Sequence, residues 1–214
     1  EKFNFDIFNK NNYVSTVEEV DEILANFKVI SKSNLPSEFK KRTLISKKEY
    51  YQLSPNLYYI ISKRDLYKRI AGNNRIIDLF SVDNEVVGES YWSTDKLYWG
   101  IKKEIIYELI TFIKLLDDEG YGKNGFWIRD GYRHPQLNEN VNGAKRSRHI
   151  YGDALDIIIE DINGDGKSNF EDKNIALSIC EKQLMKNKGG VGRYPKTQVI
   201  HIDLRGNRAR WNSN

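Results

Sequence analysis

The chain has little of several residues that betray chemistry or architecture: one cysteine, one methionine, four prolines and three histidines in 214 residues. Cys180 alone closes no intrachain disulfide and builds no cysteine-rich cluster, so any metal must be held by His, Asp or Glu. Long apolar runs are also missing. The longest, Ile105 to Leu116, is broken by Glu108 and Lys114 and falls short of the roughly 20 residues that a membrane span needs. The first residues, Glu1-Lys2-Phe3-Asn4-Phe5, hold no apolar core of a signal peptide. Neither sign of charge dominates: 34 Lys+Arg against 30 Asp+Glu leave a net +4. That excess is too small for histone-like phosphate binding, so no nucleic-acid partner is expected, though it suits a polyanionic neighbour such as a cell wall. With 39% hydrophobic residues, disorder and collagen-like classes are excluded, and the length suffices for one large or two small globular domains.

Periodicity then places the elements. Ser15 or Thr16 caps a helix over Val17 to Leu24 with acids in its first turn. Residues 28 to 98 mix β-like runs at 57–61 and 84–87 with turns such as Gly72-Asn73-Asn74, and carry no chemical motif. From about residue 99 the texture changes. Ile101, Ile105, Ile106, Leu109, Phe112, Ile113 and Leu116 follow helical spacing and predict a core helix ending before Gly120. Strands are expected at 126–128, 154–159 and 198–203, a turn-rich segment at 130–135, and a helix at 174–184. Strand and helix alternate over too few units for a doubly wound sheet, so the fold class is α+β, a small antiparallel sheet with packed helices. An amino-terminal extension of residues 1–98 and a catalytic domain of residues 99–214 are expected, the first packed on the second.

Two of the three histidines lie in specialised segments. His149 sits in Ser147-x-His149-x-x-Gly152-x-Ala154-x-Asp156, where Gly152 permits a tight turn and Ala154 leaves room for Asp156 to point the same way as His149. His201 lies mid-strand in an apolar run. Two imidazoles and a carboxylate leave a fourth position open, which is the pattern of catalytic rather than structural zinc.

These residues resemble the SxHxxGxAxD signature of the zinc D-Ala-D-Ala carboxypeptidases, a superfamily that includes vancomycin-resistance dipeptidases and phage wall endopeptidases, with hedgehog domains as distant relatives. Gly131-Tyr132-Arg133-His134-Pro135-Gln136-Leu137-Asn138 is similar to the family's GYRxPxxN segment. Gly189-Gly190-Val191-Gly192-Arg193-Tyr194, His201-Ile202-Asp203-Leu204-Arg205 and Ala209-Arg210-Trp211 resemble its carboxy-terminal end. The resemblance covers roughly residues 99 to 211. It implies a hedgehog-like fold, a catalytic zinc held by His149, Asp156 and His201, an Arg133 that faces the carbonyl oxygen or substrate carboxylate, and a Ser147 that hydrogen-bonds the substrate. Many relatives place a glutamate three residues before the last ligand, where this chain has Gln198, which accepts no proton from water. Asp203, two residues beyond His201 and on the same strand face, is the expected base.

One motif falls outside the resemblance. Asp161, Asn163, Asp165, Lys167, Asn169 and Asp172 fall at positions 1, 3, 5, 7, 9 and 12 of an EF-hand loop over 161–172, Lys167 through its carbonyl, with Gly166 at the sharp turn. The spacing also resembles a dockerin calcium repeat. Only one copy exists, so a cohesin partner is not expected and the calcium is structural. The function expected is zinc-dependent hydrolysis of peptidoglycan stem peptides by a D-Ala-D-Ala carboxypeptidase, in the periplasm or outside the cell. Crosslink endopeptidase activity and an inactive metal-stabilised wall-binding domain are the alternatives.

Overall fold

A computed structural model describes residues 13–36, 52–81 and 95–212. The β-like run at 84–87 lies outside the described residues. The chain opens with α1 (Val17–Ala25), capped by Thr16, whose hydroxyl accepts from Glu19 N while the Glu19 carboxylate accepts from Thr16 N. Then come β1 (Lys28–Ser31), β2 (Leu57–Ile61), the short hairpin of β3 (Arg69–Ala71) and β4 (Asn74–Arg75), and β5 (Leu97–Trp99). Strands β1, β2 and β5 form a three-stranded antiparallel sheet in that order.

The long helix α2 (Lys103–Asp118) follows, burying Ile105, Ile106, Leu109, Ile110, Phe112, Ile113 and Leu116, the face expected from the spacing. After it come β6 (Phe126–Asp130), a short α3 (Pro135–Asn140), β7 (Ala154–Ile159), α4 (Phe170–Ile179), a π turn over Cys180–Leu184, β8 (Gly190–Arg193), β9 (Val199–Asp203) and β10 (Ala209–Asn212). The main sheet runs β10-β8-β9-β7-β6 and is antiparallel except for the parallel β10–β8 pair. The fold is α+β.

Four local departures from the sequence expectation have physical causes. Helix α4 starts four residues before 174 because the Asn169 side chain accepts from Glu171 N and the Asp172 carboxylate accepts from Asn169 N, capping the helix inside the loop. Pro135 stands at the first turn of a helix instead of in a turn, with His134 Nδ1 accepting from Gln136 N. The glycines of β8 hide a strand. Finally, the boundary expected at residue 98 falls inside β5, and one continuous core joins Val20, Leu24, Ile70 and Ile76 to α2 and the main sheet.

Helix α1 is tied to α2 by Asp21, which accepts from Lys103 Nζ at 3.0 Å and from the Tyr107 hydroxyl. The entry to α2 is tied to the His149 segment, since Lys102 N donates to Gly152 O at 2.7 Å. Gly152 has φ +70°, and a Cβ there would lie 1.8 Å from Gly100 O. Both the left-handed backbone and the backbone contact exclude a side chain. Gly152→Ala is therefore expected to lower the stability to urea by at least about 1–2 kcal/mol from the backbone term alone, with the contact to Gly100 adding to it. A midpoint unchanged from the parent would contradict this.

Candidate metal centre and active site

Antiparallel pairing of β7 with β9 sets Asp156 directly opposite His201. Such cross-strand neighbours have Cβ atoms about 5 Å apart and side chains on one face. His149 arrives from the loop before β7. Its Nδ1 donates to Gly131 O at 2.8 Å, which leaves its Nε2 pointing at Asp156 Oδ2, 3.4 Å away. On the other side His201 Nδ1 lies 2.8 Å from Asp156 Oδ1, while its Nε2 lies 3.1 Å from Asp203 Oδ2. Among the described residues His149, Asp156 and His201 are the group whose ligand atoms converge, all within 4.8 Å of one another. All three are at least nine-tenths buried.

The electrostatics call for a cation. Burial opposes the ionised form of Asp156, yet the two imidazoles hold it well below the usual carboxylate range. Burial also opposes the imidazolium of His201, and Asp156 and Asp203 overcome it, raising its pKa to about 9. Imidazole nitrogens aimed at carboxylate oxygens need a positive charge between them, a proton or a metal. Nitrogen, nitrogen and oxygen donors fit zinc, whose tetrahedral ligand shell has ligand-to-ligand edges of about 3.3 Å. The outward nitrogens are already fixed by Gly131 O and Asp203, as ligating histidines require.

The surroundings explain the carboxy-terminal glycines. A Cβ on Gly192 would lie 2.8 Å from the Trp211 ring and 3.1 Å from His201 Cβ, and one on Gly190 would lie 2.4 Å from Asp203 Oδ2. Bare backbone on β8 lets Trp211 of β10 pack against His201, ring centroids 5.3 Å apart, and lets the Arg205 guanidinium stack on Trp211.

Asp203, the expected base, lies against His201. It is on the same face as His201, but it is fully buried, meets the ring nitrogen remote from Asp156, and is gripped by Arg205 through Nε at 2.8 Å and Nη2 at 2.6 Å. Desolvation works against its charge, but His201 and Arg205 hold its pKa low. Its contacts are with the imidazole and the guanidinium, and it does not line the cleft beside Asp156. Gln198 does not face the centre either, because its Nε2 donates to Asn169 O at 2.5 Å.

An open cleft of 380 Å³ adjoins Asp156, lined by Arg129, Asp130, Arg133, Tyr194 and Ser81 among others. Arg133 is held there by Asp130 and by Asn138 Oδ1 at 3.1 Å, and its N–H donates to His149 O at 3.1 Å. Asp130 Oδ1 is buried without a hydrogen-bond partner. Tyr194, whose hydroxyl pKa is pushed up to about 12 by burial and Asp156, remains a neutral donor. Ser147, expected at the substrate, is not among the residues lining the cleft; its carbonyl accepts from Ile150 N in the turn before His149. Sequence reasoning missed Asp130 and Tyr194, although both adjoin motif positions. It also missed Asp153, which is 1% exposed and braces that turn with Lys102 at 2.6 Å and Arg148 at 2.5 Å.

The loop 161–172 turns as expected at Gly166, and Gly164 also has positive φ. Its carboxylates are not gathered round a common point, however. Asp161 accepts from Gly164 N, Asp165 N and Gly166 N, and Asp172 accepts from Ile162 N, Asn163 N and Asn169 N. Each of these carboxylates accepts three backbone amides of the loop and keeps further acceptor capacity.

The peptidase M15 family model matches residues 92–203, half of the chain. No curated protein and no solved structure matches it. Among the described residues no helix is long and apolar enough to cross a membrane.

The amide shell of Asp172 has a measurable consequence. Since three N–H groups, one buried and two part-buried, lose their acceptor together, Asp172→Ala is expected to cost about 2 kcal/mol or more in urea unfolding with a calcium chelator present. A loss that needs calcium would instead assign the carboxylate to the ion.

Proposed function

The chain belongs to the peptidase M15 family, and on that premise we propose that it hydrolyses peptidoglycan stem peptides with zinc held by His149, Asp156 and His201. M15 peptidases are zinc-dependent, and the chain is a metallopeptidase acting on a peptide substrate. The observation that carries the finer proposal is the arginine fixed beside the metal centre. Arg133 stands in the same cleft as Asp156, its guanidinium held by Asp130 and Asn138. A rigid fork of donors there suits a terminal carboxylate, which favours removal of a carboxy-terminal D-alanine. Cleavage of a crosslink would use the same fork on the scissile carbonyl. The periplasm or the cell exterior is the setting that such a substrate implies.

When bound, zinc supplies Lewis acidity that activates water and polarises the carbonyl. The chain supplies the rest. Gly131 O and Asp203 keep the outward nitrogens of His149 and His201 protonated, leaving the inward ones as donors. Arg133 stabilises negative charge developing on the substrate oxygen, and Tyr194 offers a second, neutral donor in the cleft. Asp130 lines the same cleft and stands opposite Asp156 in the β6–β7 pairing, which makes its carboxylate the candidate to take a proton. Gln198, whose amide is engaged at Asn169, takes no part in this reading.

Purified protein is expected to carry about one zinc per chain, and His149→Ala to lose it on elemental analysis. Zinc unchanged in that variant would remove His149 from the ligand set. Asp203 and Asp130 are expected to separate cleanly. Asp203→Asn should weaken zinc about 10- to 100-fold against a competing chelator. Asp130→Asn should keep zinc and lose about 10²- to 10⁴-fold in kcat on a D-Ala-D-Ala pentapeptide. The opposite pattern would return the base to Asp203.

A further inference from the structure

A second cleft, of 480 Å³, opens one step along β6 from the catalytic one, between that strand and the β3–β4 hairpin. Its walls include Trp127, Asn73, Asn124, Arg69, Arg75 and Asp78. Trp127 is 46% exposed, unusual for the largest side chain. Its polar atom is satisfied, since Nε1 donates to Glu160 Oε1 at 3.0 Å, so the ring is held in one plane and what remains open is an apolar face.

Around that face stand planar polar groups in a chain. Arg69 Nη1 donates to Asn73 Oδ1 at 2.5 Å, and Asn73 Nδ2 donates to Asn124 Oδ1 at 2.9 Å. Each amide keeps further donor or acceptor capacity. The nearby charges are matched: Arg75 pairs with Asp78 at 3.5 Å and Lys123 with Asp117 at 3.2 Å. An apolar plate, flanking amides and compensated charge suit a neutral ligand with C–H groups on its faces and hydroxyl and amide groups on its rim. A polyanion would find few unmatched cations.

We propose that this cleft is a saccharide subsite that takes the N-acetylated sugar carrying the peptide whose bond the metal centre cuts. The subsite rests on the peptidoglycan function proposed above. Its position supports it. Trp127 and Arg129 share the exposed face of β6, and Trp127 lies three residues from Asp130, about 10 Å at strand rise. Arg129 and Asp130 line the catalytic cleft. A sugar on Trp127 with its peptide running along β6 therefore reaches Asp156. The opposite wall comes from residues 69–78, outside the segment matched by the family model. The amino-terminal part of the chain thereby gains a role at the substrate.

Two measurements test the subsite on the full chain. Chitotetraose, a soluble N-acetylated oligosaccharide, is titrated calorimetrically into the parent, Trp127→Ala and Trp127→Phe. Turnover is then compared on a stem pentapeptide with and without its disaccharide. The parent should bind chitotetraose, Trp127→Ala should bind at least about tenfold more weakly, and Trp127→Phe, which keeps an aromatic face, should retain most of the affinity. The parent should prefer the sugar-linked peptide, and Trp127→Ala should lose that preference while cutting the free peptide at the parent rate. Equal chitotetraose binding by parent and Trp127→Ala, or binding by neither, overturns the subsite. So does a preference that survives in Trp127→Ala. If the parent cuts neither peptide, the proposed peptidase specificity fails, while the titration still decides whether the cleft binds sugar.

Discussion

The register between β7 and β9 is the constraint on which the rest depends. With a side-chain period of two, a slip by one residue would turn His201 to the other face while Asp156 stayed in place. The register is locked by what surrounds it. Leu155 and Ile157 of β7 alternate with Asp156, and Ile200 and Ile202 of β9 alternate with His201, all four fully buried. The apolar face of the sheet pays the cost of concentrating charge on the other. Because Asp203 follows at the same period, the strand that supplies an imidazole also supplies the carboxylate that orients it.

That arrangement is braced from both ends. On the β7 side, Gly152 brings the turn against Gly100 while Asp153 binds Lys102 and Arg148, so the loop carrying His149 is fastened to the start of α2. On the β9 side, bare backbone at Gly190 and Gly192 admits Asp203, Arg205 and Trp211 around His201. The loop 161–172 acts at a distance. Asn169 caps α4 and its carbonyl accepts from Gln198, and α4 then inserts Lys173, 3% exposed, whose Nζ donates to Tyr194 O at 2.6 Å and Thr197 O at 2.5 Å. Through these bonds the loop fixes the β8–β9 turn and places Tyr194 in the cleft.

Arg133 shows how the amino-terminal part enters. Its strand ends where Leu79 O accepts from Tyr132 N at 2.9 Å and Ser81 N donates to Tyr132 O at 3.0 Å. A Cβ on Gly131 would lie 2.1 Å from Leu79 O, so the approach depends on that glycine. Residues before the family-matched segment thus hold the backbone that presents Arg133, and Ser81 reaches the cleft itself.

By itself the sequence determined the α+β class, the core face of α2, the capped start of α1 and the gathering of His149, Asp156 and His201. These are local facts of spacing and pattern: apolar residues at helical intervals, an acid three residues after a threonine, and a ten-residue signature whose alternation puts its ends on one side. Where the motif positions point was decided only by tertiary structure. Asp203 and Gln198 share strand β9 with His201, and sequence cannot say that Arg205 captures one and Asn169 the other. The loop 161–172 has the spacing of a cation site, and only the structure shows that its amides donate to Asp161 and Asp172 and that α4 starts inside it. Asp130 and Trp127 carry no signature, and Tyr194 closes a matched segment that gives it no role. Their roles come from sheet order and from residues 69–81 packed against β6, contacts between segments about 50 or more residues apart in the chain, about which spacing is silent.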